Sequence, residues 1–215
     1  MTEDEELTYA DAGVDIEESE AATAALLNAV GNVVDTEYAG MLDIGDQYLA
    51  LATDGVGTKL LVAEALSDYS TVGIDCMAMN VNDLVAAGVT PVAFVDYLAV
   101  DEPTEAFAEQ VGEGLAEAAD RADVALLGGE TAVMPEVVDG LDLAGTCAGL
   151  APKDAVFDGA AQEGDRLVAW PSAGIHSNGL TLARTAVTRD HEYTDPFPPE
   201  SDRSIGEVLL EPTRI

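Results

Sequence analysis

The sequence is nearly without basic side chains. Lysine occurs twice, at Lys59 and Lys153, and Lys plus Arg total 8 against 42 Asp plus Glu, for a formal net charge of -34. A surface of this sign repels a phosphate backbone and has no Arg/Lys stripe to release counterions, which excludes nucleic acid as a partner. Anionic membrane surfaces are disfavoured for the same reason. Self-repulsion of this size strains a compact fold in dilute buffer, but at ~1 M salt the Debye length is only ~3 Å and most of it is screened. The expectation is a protein adapted to a salt-rich cytoplasm. Cysteine is equally scarce: Cys76 and Cys147 are too few for a disulfide framework or a tetrahedral zinc site, and both lie in apolar runs where a small buried thiol fits. No apolar run approaches transmembrane length, and Met1-Thr2-Glu3-Asp4-Glu5-Glu6 lacks a basic leader region, so a soluble, cytoplasmic protein is expected. Aromatic residues make up only 5%. What is present is a chain of 215 residues, 48% hydrophobic, long enough for one or two domains. A core built from Ala, Val, Leu and Ile suits packed layers of sheet and helix, an α+β or α/β fold.

Strands and helices alternate along the chain, punctuated by glycine-bearing loops. Residues 48–53 read as a strand running into Asp54-Gly55-Val56-Gly57-Thr58-Lys59, and residues 60–66 as a short helix. Helical spacing over 72–87 stops at Gly88, and 92–100 is a strand. Phe107, Val111, Leu115 and Ala118 then recur at three- and four-residue intervals after Pro103-Thr104, an amphipathic helix ending near Arg121. A short strand over 124–127 is expected to open into a loop, Gly128-Gly129-Glu130-Thr131, before a further strand over 141–150. Periodicity lapses around 153–164, which places a domain boundary there. A new strand over 166–170, a polar loop over 171–179 and a helix over 180–187 follow, with a surface loop over 195–202.

Chemistry gathers at the junctions. In Asp54 to Lys59 two glycines let the backbone approach an anion, and the helix behind them offers unpaired N–H groups and a positive dipole end. The loop is not a Walker A motif, whose spacing is absent, and an ordinary strand-to-helix turn stands as the alternative. Asp75, Asn82 and Asp83 fall on one helix face two turns apart, which suits magnesium or a solvated acidic face. Glu130, after two glycines at a strand end, completes a set of carboxylates with Asp54, Asp75 and Asp83 sufficient for magnesium holding a triphosphate. His176, within Ser172-Ala173-Gly174-Ile175-His176-Ser177-Asn178-Gly179, could bind phosphate or shuttle a proton, or stand exposed and uninvolved; His191 reads as a surface residue.

Taken in order, Tyr9-Ala10-Asp11-Ala12-Gly13-Val14-Asp15-Ile16, Thr53 to Lys59, Gly73-Ile74-Asp75, Val81-Asn82-Asp83-Leu84, Gly128-Gly129-Glu130-Thr131-Ala132, His176-Ser177-Asn178-Gly179 and Leu210-Glu211-Pro212-Thr213-Arg214-Ile215 resemble the phosphoribosylformylglycinamidine cyclo-ligase (AIR synthetase) family. The resemblance implies an α+β fold: an N-terminal mixed sheet-and-helix domain over residues 1–160 that pairs in a dimeric β-barrel, and the beginning of a second α/β domain over 161–215. It also implies a homodimer using ATP and Mg2+ to cyclise formylglycinamidine ribonucleotide to aminoimidazole ribonucleotide in purine biosynthesis. Carried over by motif, Asp54, Asp75, Asp83 and Glu130 hold magnesium, while Gly55, Gly57, Thr58 and Lys59 contact the ATP phosphates with Asn82 and Gly129 in support. His176, Ser177 and Asn178 face the reacting groups, and His176, Lys59 and Asn178 are the expected catalytic residues. Two departures stand out: many members carry lysine where this chain has Ala10, and the family continues well past the position of Ile215. Sister enzymes with the same scaffold, such as thiamine-phosphate kinase or a hydrogenase-maturation dehydratase, and a truncated nucleotide-binding dimerisation module are the alternatives.

Overall fold

Alternating apolar residues along two long segments, 47–55 and 141–152, build the middle of a sheet. The computed structural model describes residues 7–31, 38–157, 159–198 and 202–215. Its elements are α1 (Ile16–Val30), β1 (Gly40–Asp43), β2 (Gln47–Gly55), α2 (Lys59–Leu66), α3 (Val72–Ala86), β3 (Thr90–Val100), α4 (Glu105–Ala122), β4 (Ala125–Val133), β5 (Leu141–Pro152), α5 (Leu180–Val187) and α6 (Ile205–Leu209). The five strands lie in the order β1-β2-β5-β3-β4. All neighbours are antiparallel except β3 and β4, which run parallel and are joined through α4 as a βαβ unit. The fold is thus mixed α+β.

The helices cover one face of this sheet. α3 crosses β2, β5 and β3 and packs against α4. Ala50, Ala52, Phe94, Leu98, Leu143 and Cys147 meet Ile74, Met77, Val81 and Leu84 of α3 and Phe107, Val111 and Leu115 of α4 in one core. Close approach depends on small residues. A Cβ on Gly73 would collide with the backbone of α4 at Val111 and Leu115, and one on Gly145 would enter the Phe94 ring. The opposite sheet face is open, with Leu42, Leu51, Val95 and Tyr97 exposed along it.

Helix ends follow local chemistry. Thr104 caps α4 by accepting from the Phe107 N–H at 3.3 Å, and Gly88 takes the left-handed conformation, φ 78°, just past α3. α6 carries a full capping box, Ser204 with Glu207. Both cysteines are buried and free, as their apolar settings imply; burial pushes the Cys147 thiol up to about 11 and raises Cys76 as well, so both stay protonated at neutral pH. Among the described residues no helix is long and apolar enough to cross a membrane.

Several expectations from the sequence need correction. The run Gly128-Gly129-Glu130-Thr131 is not a loop but the middle of β4, hydrogen-bonded in register with β3, because the neighbouring strand supplies partners that local glycine content does not reveal. Residues 166–170 form no strand: no described strand pairs with them, and Leu167 and Trp170 stand in solvent. α1, β1 and α6 were not legible. The expected surface loop over 195–202 begins with Pro196 bridged to Ser204, while its residues 199–201, like residues 1–6, lie outside the described set.

Candidate phosphate-binding site

β2 delivers its last residues, Asp54 and Gly55, to the sheet edge above α3, where the chain turns into α2. The Asp54 Oδ1 atom accepts the Gly55 N–H at 2.7 Å, and the Asp54 carbonyl accepts from Asn80 Nδ2 at 3.2 Å. Val56 bonds back to Leu143, and Gly57 takes φ 69°, which favours glycine. Thr58, at the N-cap of α2, makes no capping bond; its hydroxyl is instead 2.9 Å from that of Thr181 in α5. No acceptor among the described residues pairs with the N–H groups of Gly57 and Thr58. A helix start with unpaired N–H groups behind a glycine turn is a seat for an anion.

Lys59 is not at the mouth of that seat. Its side chain is fully buried, with Nζ 2.8 Å from Asp75 Oδ1 and 2.8 Å from the Glu211 carbonyl. The expectation that its ammonium meets a phosphate directly does not describe this conformation, because a buried carboxylate and a carbonyl already hold it. Asp75 is fully buried too, so the solvated-face reading fails for it. The same Oδ1 atom also accepts from the Thr213 N–H at 2.8 Å and the Thr213 hydroxyl at 2.6 Å, whereas Oδ2 is buried with no partner among the described residues. One oxygen thus ties α2, α3 and residues 211–213 together.

The four expected metal carboxylates do not converge. Among the described residues no three His, Cys, Asp or Glu side chains form a group that could hold a metal ion. Asp83 does lie within reach of the Asp54 charge: burial first, then that charge, raises the Asp83 carboxyl above its ordinary range. Glu130 is excluded by the pleat. Gly129 lies beside Asp96, so close that a Cβ on it would strike the Asp96 carboxylate, and this shared face is the helix-covered one. The next residue, Glu130, pairs with exposed Tyr97 on the open face, away from Asp54, Asp75 and Asp83. Gly129 therefore makes room for Asp96, which sequence reasoning passed over although a carboxylate inside the apolar run Val92 to Val100 was a usable signal.

Burial raises the Asp96 carboxyl. A carboxyl harder to ionise in the fold than in the unfolded chain weakens the fold as pH rises through its folded pKa, and costs nothing below the unfolded value of about 3.9. Asp96→Asn is accordingly expected to raise the melting temperature near neutral pH, with the gain shrinking toward zero as the pH falls below about 3.9. Melting curves at the two ends of that range provide the check; an equal gain at both would assign the effect to packing instead.

The loop after residue 170 comes near but not into this arrangement. His176 sits at φ 61°, and its Nε2 accepts from the Ala173 N–H at 3.2 Å, which places the proton of the neutral ring on Nδ1. Ser172 Oγ lies 3.2 Å from the same nitrogen. The imidazole is thus folded onto its own loop. Ser177 Oγ is buried with no partner among the described residues, Asn178 is exposed, and Asn82 binds the Arg214 carbonyl at 2.7 Å.

Residues 36–151 match the family described as AIR synthase related protein, N-terminal domain. The chain belongs to this family. Over 220 residues it is 48% identical to a phosphoribosylformylglycinamidine cyclo-ligase from Methanosarcina mazei, and over 226 residues 46% identical to one from Pyrococcus furiosus. In both comparisons 97% of the chain is matched, and the chain spans 66% of the length of these relatives. The solved structure of AaThiL complexed with AMPPCP and TMP has the same fold, with a TM-score of 0.59 at 14% identity, covering 91% of this chain and 63% of that one. Membership in the AIR synthase related family agrees with a five-stranded mixed sheet backed by helices on one face.

Proposed function

We propose that this chain is the ATP-binding part of a phosphoribosylformylglycinamidine cyclo-ligase, which converts formylglycinamidine ribonucleotide and ATP to aminoimidazole ribonucleotide, ADP and phosphate. The observation that carries this reading is the 48% identity to a cyclo-ligase across 97% of the chain. The loop Asp54 to Thr58 supports it, since at Gly57 and Thr58 it offers N–H groups with no acceptor among the described residues, as a phosphate needs.

An amide oxygen is a poor leaving group. Transfer of the γ-phosphoryl group to it gives an iminophosphate; attack by the substrate's own amidine nitrogen on that carbon, with loss of a proton from that nitrogen, closes the imidazole ring, and the C–O bond breaks to release phosphate. The protein's work is positioning and charge neutralisation. Gly57 and Thr58 hold phosphates through backbone N–H groups, and Gly55 lets the chain turn toward them while its own N–H stays on Asp54. Ser177, whose buried hydroxyl has no partner among the described residues, together with Asn178 and His176, faces the transferred group, and His176 carries a proton on Nδ1. Asp54 and Asp83 are the carboxylates that would hold magnesium in this reading, the Asp83 carboxyl being raised by burial first and by the Asp54 charge second. Magnesium, when bound, neutralises phosphate charge. Asp75 instead serves Lys59, and Glu130 has no place in this set.

The open sheet face, with its exposed Leu42, Leu51, Val95 and Tyr97, supports pairing with a second copy as a homodimer. The acidic surface supports a cytoplasm rich in salt, and residues from about 161 onward belong in this reading to a second domain. The test is ATP hydrolysis in molar potassium chloride with magnesium, with and without formylglycinamidine ribonucleotide, using the protein that carries this chain. Substrate-dependent ADP release matched by aminoimidazole ribonucleotide is expected; ADP release without that product would overturn the cyclo-ligase assignment.

A further inference from the structure

We propose that Thr213 is a positioning residue for the phosphate loop, and that the segment 211–213 is a latch that holds Lys59 in place beneath it. The nucleotide part of this inference rests on the reading above; the latch itself does not.

The latch is a buried polar junction between distant parts of the chain. Asp75 Oδ1 takes three donors, Lys59 Nζ, the Thr213 N–H and the Thr213 hydroxyl, at 2.6 to 2.8 Å. The Glu211 carbonyl takes a second Lys59 proton at 2.8 Å. Lys59 and Asp75 are both 0% exposed, and Thr213 is 4% exposed. A buried ammonium is tolerated only while paired and hydrogen-bonded, so removal of the 211–213 donors and acceptor leaves this pair to find water. Lys59 can reach water only by moving, and it is the first residue of α2, directly after Gly57 and Thr58. A change at Thr213 therefore alters the loop that carries the free N–H groups.

Neighbouring contacts hold the same segment. Ile205, Leu209 and Leu210 are buried in the core, and a Cβ on Gly206 would press on Leu66 of α2. Asn82 of α3 binds the Arg214 carbonyl at 2.7 Å. Seating of 205–214 and the shape of the loop 54–59 are one event.

The near absence of lysine makes this testable, because an amine-acetylating reagent has only two side-chain targets. In the 215-residue chain, folded in molar potassium chloride, Lys153, whose side chain is 41% exposed, is expected to be modified while Lys59 is protected. Thr213→Val keeps the shape and removes the hydroxyl donor. It is expected to raise Lys59 acetylation, read by mass spectrometry, and to weaken magnesium-ATP binding about tenfold, the worth of a lost hydrogen bond to a charged group. Thr213→Ser, which restores the hydroxyl, is expected to return both readouts to the parent values, and circular dichroism confirms that each variant is folded. Unchanged Lys59 protection in folded Thr213→Val, or ready acetylation of Lys59 in the parent chain, would overturn the latch. Loss of protection with unchanged ATP affinity would overturn the positioning role. A parent chain that binds no magnesium-ATP would end the nucleotide reading and the positioning role with it, while the acetylation pattern still judges the latch.

Discussion

Lys59→Met is expected to destabilise the chain by about 3–5 kcal/mol, the usual penalty for removing one member of a buried ion pair. The loss comes less from the attraction than from what remains. Asp75 is fully buried, and without Lys59 its carboxylate keeps only the two Thr213 donors on Oδ1, with Oδ2 still unpartnered. An uncompensated buried charge must then be solvated or take up a proton. The double variant Lys59→Met with Asp75→Leu removes both charges and fills the space with apolar atoms, and buried pairs replaced in this way are often close to neutral. It is therefore expected to recover most of the loss, short of what Thr213 forfeits by losing its acceptor. Denaturant midpoints of the parent, both single variants and the double variant, taken at constant salt, close the cycle. Additive losses across the four proteins would show that the pair is not a unit.

Removal of salt is expected to have the other large effect. The chain should be folded in potassium chloride at ~1 M or above, where charges are screened beyond ~3 Å, and should unfold at ~0.01 M, where repulsion reaches ~30 Å. A net charge of -34 faces a total stability of only about 5–15 kcal/mol in an ordinary domain. Local pairing offsets little of it: Lys153 with Asp43, Arg121 with Glu117 and Arg203 with Glu211 lie at the surface, where such pairs contribute about 0–1 kcal/mol each. Circular dichroism during stepwise dialysis reads the transition. Sodium sulfate at equal ionic strength should stabilise more than the chloride, because sulfate also strengthens apolar burial. A chain that stays folded in dilute buffer would show that the acidic surface is spread widely enough to need no screening.

The parts of the site that were legible in the sequence are those whose chemistry is local. The glycine turn of residues 54–58 sits between strand and helix as read. α3 stops at Gly88, α4 begins at its Thr104 cap, and the two cysteines are core thiols, each following from neighbours a few residues away. Carboxylate placement was less legible. Spacing put Asp75, Asn82 and Asp83 on one helix face, but spacing cannot tell which end of that face is buried. Here Asp75 lies fully inside and Asp83 only partly. The expected loop at Gly128 to Thr131 failed because glycine content reports local freedom, whereas β3 supplies a complete set of partners that makes this run a strand.

By itself the sequence determined the α+β class, the family, the charge regime and the position of the glycine turn between strand and helix, since composition, short-range periodicity and ordered motifs suffice for these. Only the tertiary structure decided where the functional groups point. Pleating sends Glu130 to the open face while its neighbour Gly129 makes room for Asp96, and a one-residue difference in register would reverse that choice. Burial turns Lys59 from an apparent phosphate ligand into one half of an ion pair held by Thr213, a partner 138 residues away from Asp75 in sequence. No local pattern encodes such a contact, because it exists only once sheet, helices and the segment 205–214 have packed together and excluded water.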